Sequence, residues 1–336
     1  MTGRRPTITD LAREAGVSRS TASRAVTGAG YVAAPVRERV RIAAERIGYV
    51  PDTVARSLRH RTSRAIGVLI SDLRNPFYAD VATAVEQRLR SHGYHIILAN
   101  SDGLAEEELA AANLFTGSRV AGVIVAPVSP IAQRLIGLGV PVVEIDRRMA
   151  VGDCDAVVIE NAAGAEAATS HLIELGHRRI GLLLGEMSWT TGPERLAGYR
   201  AALAKAGIPF DEALTEAGSG HPTEAEHLAR RLLDRAPDVT AIFATNNLMA
   251  EDAVAELQRR GLSIPADVSL VAFDDIPWMS IFQPGITAVA QPTLEIGREA
   301  ADLLLARMAG SHPDEPVEVR LQPTLLVRGS TAPPRG

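Results

Sequence analysis

The stretch TITDLAREAGVSRSTASRAVTG, residues 7–28, decides how the amino-terminal end folds. Thr7 precedes Asp10 by three residues, the spacing of a capping box, and Ile8, Leu11, Ala12 and Ala15 recur at helical intervals along one face. Gly16 ends that helix. Ser18 offers a second N-cap at once, and Ala22, Ala25 and Val26 supply the inner face of a helix starting at Arg19. The small residues Ala12 and Gly16, with Val17 beneath them, let the two helices meet closely at a sharp angle, the geometry of a helix-turn-helix. Arg19, Ser20, Ser23 and Arg24 then face outward, where arginine reaches guanine edges or phosphates and serine reaches either base type. A third helix is signalled by Pro35 in its first turn, a Val36, Val40, Ala43, Ile47 stripe, and Gly48 past its end.

A plain helical hairpin with a solvated basic face would explain the same spacing, and charge decides between the two. Residues 1–64 hold thirteen arginines and five acids, a net +8, so residues 65–336 carry −13 of the chain's −5 total. A basic arm suits a polyanion and an acidic body suits something else, which makes nucleic acid the expected partner of the first sixty residues. Beyond the third helix, Val54, Ala55 and Leu58 lie among Arg56, Arg59, Arg61 and Arg64. A helix this short is marginal alone in water, so residues 51–64 read as a hinge that orders on binding. Leu58 fits a wedge for a minor groove, or alternatively a packing contact with the domain that follows.

The remaining composition is that of an ordinary globular protein: 336 residues, 46% hydrophobic, one cysteine (Cys154) and a single lysine (Lys205). No disulfide, CxxC or HExxH spacing is available, and neither a signal sequence nor an eighteen-residue apolar run occurs. The expectation is a cytoplasmic protein without cofactor, metal or membrane partner.

Residues 7–28, the linker YVPDTVARSLR (49–59), NPFY (75–78), the Asp146-Arg147 pair, GHRRIG (176–181) and AFDD (272–275) occur in the order found in the LacI/GalR family of transcriptional regulators, which the chain resembles over nearly its whole length. The resemblance implies that Arg19, Ser20 and Arg24 read bases. It gives Thr7, Ser18, Thr21 and Ser23 a part in positioning phosphates, and makes Leu58, with Ala55 beside it, the hinge contact at the operator centre. It further implies a pseudo-palindromic double-stranded operator bound by a homodimer. The short carboxyl end, GSTAPPRG, has no leucine heptad for a higher oligomer.

From Ala65 onward, β-branched runs alternate with helical stretches in two similar series: Ile66–Ile70 to Val140–Ile145, then Val157–Ile159 to Leu270–Phe273. The expected architecture is therefore an all-α helix-turn-helix head (1–50), a hinge (51–64), and an α/β periplasmic-binding-protein-like core of two parallel-sheet subdomains (65–332). The first subdomain takes residues 65–161 and 291–322, the second 162–290 and 323–332. Ligands of such sheets sit outside the carboxyl ends of the strands, where Asp72, Asn75, Phe77, Asp146, Arg147, Arg195, Asn246, Asp274 and Gln291 fall. Carboxylates, amides and arginine suit hydroxyls and ring oxygens, and an aromatic face suits the C–H side of a sugar, so a polyhydroxylated effector is expected. The resemblance marks the same positions, Asp72 excepted, as effector contacts. Trp278 is a weaker aromatic candidate. Asn247 stands where the family commonly has aspartate, and Glu160 precedes Asn161 where aspartate is usual. Two other classes compete. An enzyme lacks support because neither GxSxG nor a Walker lysine occurs, and a transport component is disfavoured by the basic head.

Overall fold

The computed structural model describes residues 6–28, 30–50, 63–149, 152–218, 227–311 and 313–335. Ala55 and Leu58 lie outside the described residues. The chain divides into two units, residues 1–62 and 63–336.

In the first unit, α1 (Ile8–Glu14), α2 (Arg19–Thr27) and α3 (Ala34–Ile47) enclose Leu11, Ala15, Val40 and Ala43. Local chemistry sets each boundary. The Asp10 backbone N–H donates to the Thr7 hydroxyl at 3.3 Å while Thr7 N–H donates to the Asp10 carboxylate at 2.9 Å, completing the capping box. Gly16 turns the chain at φ +63°, and Ser18 Oγ accepts from Thr21 N–H at 3.1 Å to open α2. Gly48, left-handed, closes α3.

The second unit is two sheets of six strands. In the first run β1 (Ala65–Ile70), α4 (Pro76–Ser91), β2 (His95–Asn100), α5 (Ala105–Gly117), β3 (Val123–Val125), α6 (Ile131–Gly137), β4 (Val142–Ile145) and β5 (Asp155–Ile159). The second run follows with α7 (Asn161–Glu174), β6 (Ile180–Leu184), α8 (Thr191–Lys205), β7 (Thr215–Ala217), α9 (Leu228–Arg235), β8 (Ala241–Ala244), α10 (Asn247–Arg259), β9 (Ser269–Phe273), α11 (Pro277–Ile281) and β10 (Thr287–Ala290). The chain then returns through α12 (Thr293–Met308) and β11 (Glu318–Leu321) before ending on β12 (Thr324–Leu326).

The sheet orders are β11-β5-β4-β3-β1-β2 and β12-β10-β9-β8-β6-β7, so each strand has a counterpart in the other lobe. Central strands such as β1, β5, β6 and β9 are buried along their whole length, as expected where helices cover both faces. The first sheet is parallel throughout; the second departs from the expected all-parallel pattern at one edge, where β12 runs antiparallel to β10. The chain has just left β11 and needs only a short link to reach β12, so no crossover helix intervenes to restore the parallel direction. Three segments connect the lobes, at 160, 290–292 and 322–323, and Glu160 N–H bonds the Leu321 carbonyl at 2.9 Å where two of them run side by side.

One helix pair in each lobe packs almost backbone to backbone. A Cβ on Gly198 of α8 would sit 2.1 Å from the Ala162 carbonyl oxygen of α7, and one on Gly297 of α12 would sit 2.6 Å from the Val81 oxygen of α4. Only glycine admits either approach.

Candidate functional site

In the head, Ala22 of α2 points into the core while its cap Ser18 and Arg19, Ser20 and Arg24 are exposed, and Thr21, Ser23 and the α1 cap Thr7 are half-buried. The hydroxyls of Ser20 and Thr21 lie 2.9 and 2.8 Å from Ser18 Oγ. The amino end of α2 thus presents a cluster of hydroxyls and backbone N–H groups beside two arginines, a combination that hydrogen-bonds both phosphate and base edges.

In the second unit, a cavity of about 780 Å3 including its open mouth lies at the carboxyl ends of the strands of both sheets. The expected residues Asp72, Asn75, Phe77, Asp146, Arg147, Arg195, Asn246, Asp274 and Gln291 all line it, together with Tyr78, Glu186, Trp189 and Thr245.

Asp146 follows β4 and Asp274 follows β9, the counterpart strand, and both take left-handed backbone at φ +67° and +70°. Aspartate tolerates that region better than most side chains, and the turn aims each carboxylate off the end of its strand. Around Asp146 the polar groups pair directly. Tyr78 O–H donates to Asp146 Oδ2 at 2.8 Å, and Arg147 Nη1 donates to both, at 2.9 Å to Tyr78 and 3.0 Å to Asp146. Arg147 Nε is held by the Pro127 carbonyl at 2.5 Å. Burial drives the Tyr78 phenol far above its ordinary pKa, so it stays a donor.

Around Asp274 the charges are instead held by neutral groups. Arg195 donates through Nε to Asn161 Oδ1 at 2.9 Å and through Nη1 to the Thr245 carbonyl at 2.5 Å, with its guanidinium 3.7 Å over the Phe273 ring. Asp274 accepts from Gln291 Nε2 at 2.5 Å and from Asn247 N–H at 3.3 Å. Burial raises the Asp274 pKa against the opposing pull of Arg195, and burial lowers that of Arg195.

Asn75 and Asn247 resolve two expectations together. Asn75 caps α4, accepting from Phe77 N–H at 3.0 Å, and its amide also pairs reciprocally with that of Asn247 from the other lobe, at 3.2 and 2.9 Å. An aspartate at 247 could only accept, so asparagine is what makes the exchange two-way. Asn161, which follows the other departure, Glu160, bridges Arg195 and Glu194; its Nδ2 donates to Glu194 at 2.8 Å.

Trp278 does not reach the cavity. Its ring packs edge-on against Phe282, 6.0 Å between centroids, and its Nε1 donates to Glu251 at 2.9 Å, because Pro277 starts α11 and carries the next residue away from the strand end. The cleft aromatic that sequence reasoning missed is Trp189, on the loop between β6 and α8. His177, just ahead of β6, is buried, with ring nitrogens 2.8 Å from Thr240 Oγ1 and the Ala332 carbonyl. Among the described residues no His, Cys, Asp and Glu group could hold a metal ion, and no helix is long and apolar enough to cross a membrane.

Comparison with known proteins accounts for both units. Residues 7–52 match the family model of bacterial regulatory proteins, lacI family, and residues 169–331 match that of the periplasmic binding protein-like domain. The HTH-type transcriptional regulator CelR of Thermobifida fusca is 38% identical over 97% of this chain and 98% of its own. The ribose operon repressor of Bacillus subtilis (strain 168) is 34% identical over 89% of this chain and 90% of its own. Among solved structures, the CelR–cellobiose complex matches with a TM-score of 0.73 at 36% identity, covering 97% of this chain and all of that one. The lac repressor dimer bound to operator and the anti-inducer ONPF matches with a TM-score of 0.84 at 27% identity, covering 98% of this chain and 100% of that one. A helix-turn-helix head ahead of a two-lobed binding-protein-like core, with relatives of this similarity over nearly full length, means that the chain belongs to the LacI family and is a DNA-binding transcriptional regulator, not an enzyme.

Proposed function

We propose that this regulator is a cytoplasmic, dimeric repressor whose affinity for a pseudo-palindromic operator is set by a neutral sugar bound between the two core lobes. The observation that carries the reading is the cavity, which draws carboxylates, amides, guanidinium groups and aromatic rings from both sheets onto one space. Four carboxylates (Asp72, Asp146, Glu186, Asp274) line the cavity with two guanidinium groups (Arg147, Arg195), Asp72 being paired with Arg74 at 2.9 Å, so the lining offers acceptors for hydroxyls and no excess of cations for a phosphate or acid. Effector contacts are assigned to Asp72, Asn75, Phe77, Asp146, Arg147, Arg195, Asn246, Asp274 and Gln291. Cellobiose and ribose, named for relatives of this chain, are the first sugars to test.

On the DNA side, Arg19, Ser20 and Arg24 contact bases, and Thr7, Ser18, Thr21 and Ser23 position phosphates. Ala55 and Leu58 engage the minor groove between half-sites. A second copy of the chain supplies the second head, and the exposed apolar Leu98 on the edge strand β2 favours such pairing.

The test is selection of bound fragments from the source genome by the purified protein at near-physiological salt, followed by sugar titration against the enriched site. A two-half-site motif whose affinity shifts with a neutral sugar supports the reading. Enrichment of no motif with or without sugars contradicts it. Arg24→Ala should cost about 1–3 kcal/mol at its contacted base and relax preference there.

A further inference from the structure

Trp189 belongs to the second lobe and Arg147 to the first, yet the Arg147 guanidinium lies 3.8 Å from the Trp189 ring centroid. The next residues cross the cleft as well: Arg148 N–H donates to Thr190 Oγ1 at 3.1 Å. Two consecutive residues leaving β4 therefore hold two consecutive residues of the β6–α8 loop. That loop is braced by Ser188 N–H donating to the Glu186 carboxylate at 2.8 Å.

Arg147 is already fixed on three sides. Nε goes to Pro127, Nη1 goes to Tyr78 and Asp146, and one face of the guanidinium covers Trp189. Its Nη2 is buried without a hydrogen-bond partner among the described residues, in a side chain only 4% exposed that lines the cavity. A buried charged N–H is costly to leave unmet, and an oxygen of a cavity ligand is the group that can meet it.

We propose that Arg147 and Trp189 form a clasp that converts ligand recognition by the first lobe into closure of the second. The proposal rests on the cavity being a sugar site. The plane of the guanidinium is already set by Pro127, Tyr78 and Asp146 and carries the indole of the opposite lobe; a sugar oxygen accepting from Nη2 completes the donor set and ties the ligand to that interlobe contact. Trp189 therefore governs coupling between sugar and operator more than sugar affinity. A lysine at 147 would keep the charge but lose the flat face and the fork of donors.

The chain has two tryptophans, so Trp278→Phe leaves Trp189 as the sole reporter, with the changed residue outside the cavity. Full-length Trp278→Phe protein is titrated with cellobiose and with ribose, reading indole emission, heat of binding, and affinity for the selected operator fragment. The expected result is an emission change that saturates with the heat. Trp189→Ala in the otherwise native chain should bind sugar about 2- to 30-fold more weakly, the span of one cation–π contact, while sugar no longer changes its operator affinity. Trp189→Phe, which preserves packing, should keep part of the coupling, and Arg147→Lys should abolish the emission change in the Trp278→Phe background. Sugar binding by Trp189→Ala with native coupling to the operator overturns the clasp alone, as does emission that ignores saturating sugar. No binding heat from any neutral sugar in the native protein removes the sugar reading and the clasp with it.

Discussion

The two core lobes share one sheet order but not one way of handling buried charge. In the first, the opposite charges Asp146 and Arg147 pair directly with each other and with Tyr78, leaving only Arg147 Nη2 unmet among the described residues. In the second, Arg195 and Asp274 are each held by neutral partners: Asn161 and the Thr245 carbonyl for the arginine, Gln291 and a backbone N–H for the aspartate. Buried ions without direct partners cost more to maintain, because the amides satisfy geometry without cancelling charge. Charge is thus compensated directly in the first lobe and only through neutral groups in the second, while each lobe keeps a polar group that a ligand can meet, Arg147 Nη2 in the first and the Asp274 carboxylate in the second. The neutral Asn75–Asn247 amide pair joins the two with little electrostatic bias toward either.

Breaking the second cluster should have the largest effect. Arg195→Ala leaves Asn161 and the Thr245 carbonyl unmet and uncovers Phe273, and should cost about 1–3 kcal/mol of core stability along with the whole ligand response, while the sugar-free protein keeps its operator affinity. Thermal melts and operator titrations check both, and an unchanged ligand response would show the two clusters to be equivalent after all. Next comes packing. Gly198→Ala and Gly297→Ala each force two helix backbones apart and should cost about 1–3 kcal/mol, more at Gly198 where the clash with a carbonyl oxygen is closer. Equal melting shifts for the two would argue that the helix pairs relax alike.

Smaller effects depend on pH. Burial raises the Asp274 pKa in the folded chain, so its contribution to stability is greatest at low pH and is lost as pH rises through that raised value. Sugar binding runs the other way, since only the carboxylate accepts two hydroxyls. Affinity measured by calorimetry should fall as pH drops through the raised value, and Asp274→Asn should flatten the curve. The smallest effect is at His177, whose pKa is lowered by burial. The stability held by its neutral ring is present above the unfolded value of about 6.5 and lost as pH falls below it; His177→Asn should reduce that acid sensitivity in urea melts.

The head was legible because caps are local chemistry. Thr7, Asp10, Gly16 and Ser18 announce their boundaries within four residues, and the structure repeats them bond for bond. Asp146 and Asp274 were legible because an apolar run ending on an acid marks a strand end, and strand ends in such sheets converge. Trp189 was not, since GEMSWTTG, residues 185–192, has no periodicity and the tryptophan beside Asp274-Asp275 drew attention instead. The overlooked signal was internal: Trp189 leaves β6 as Phe77 and Tyr78 leave β1, its counterpart. The edge strands β11 and β12 escaped for a different reason. Their residues are exposed or half-buried, so EVRL and TLL lack the apolar run that identified β1 or β9. The reciprocal Asn75–Asn247 pair joins residues 172 apart in sequence, and no local pattern encodes such a contact.

The most direct test of a sugar-controlled operator switch is anisotropy of a labelled operator fragment with the full-length protein across a sugar titration. The account predicts a saturable change in operator affinity of about 5- to 150-fold that disappears in Asp274→Asn, while sugar-free operator binding stays native. Operator affinity that stays constant while calorimetry shows the same sugar bound would contradict it.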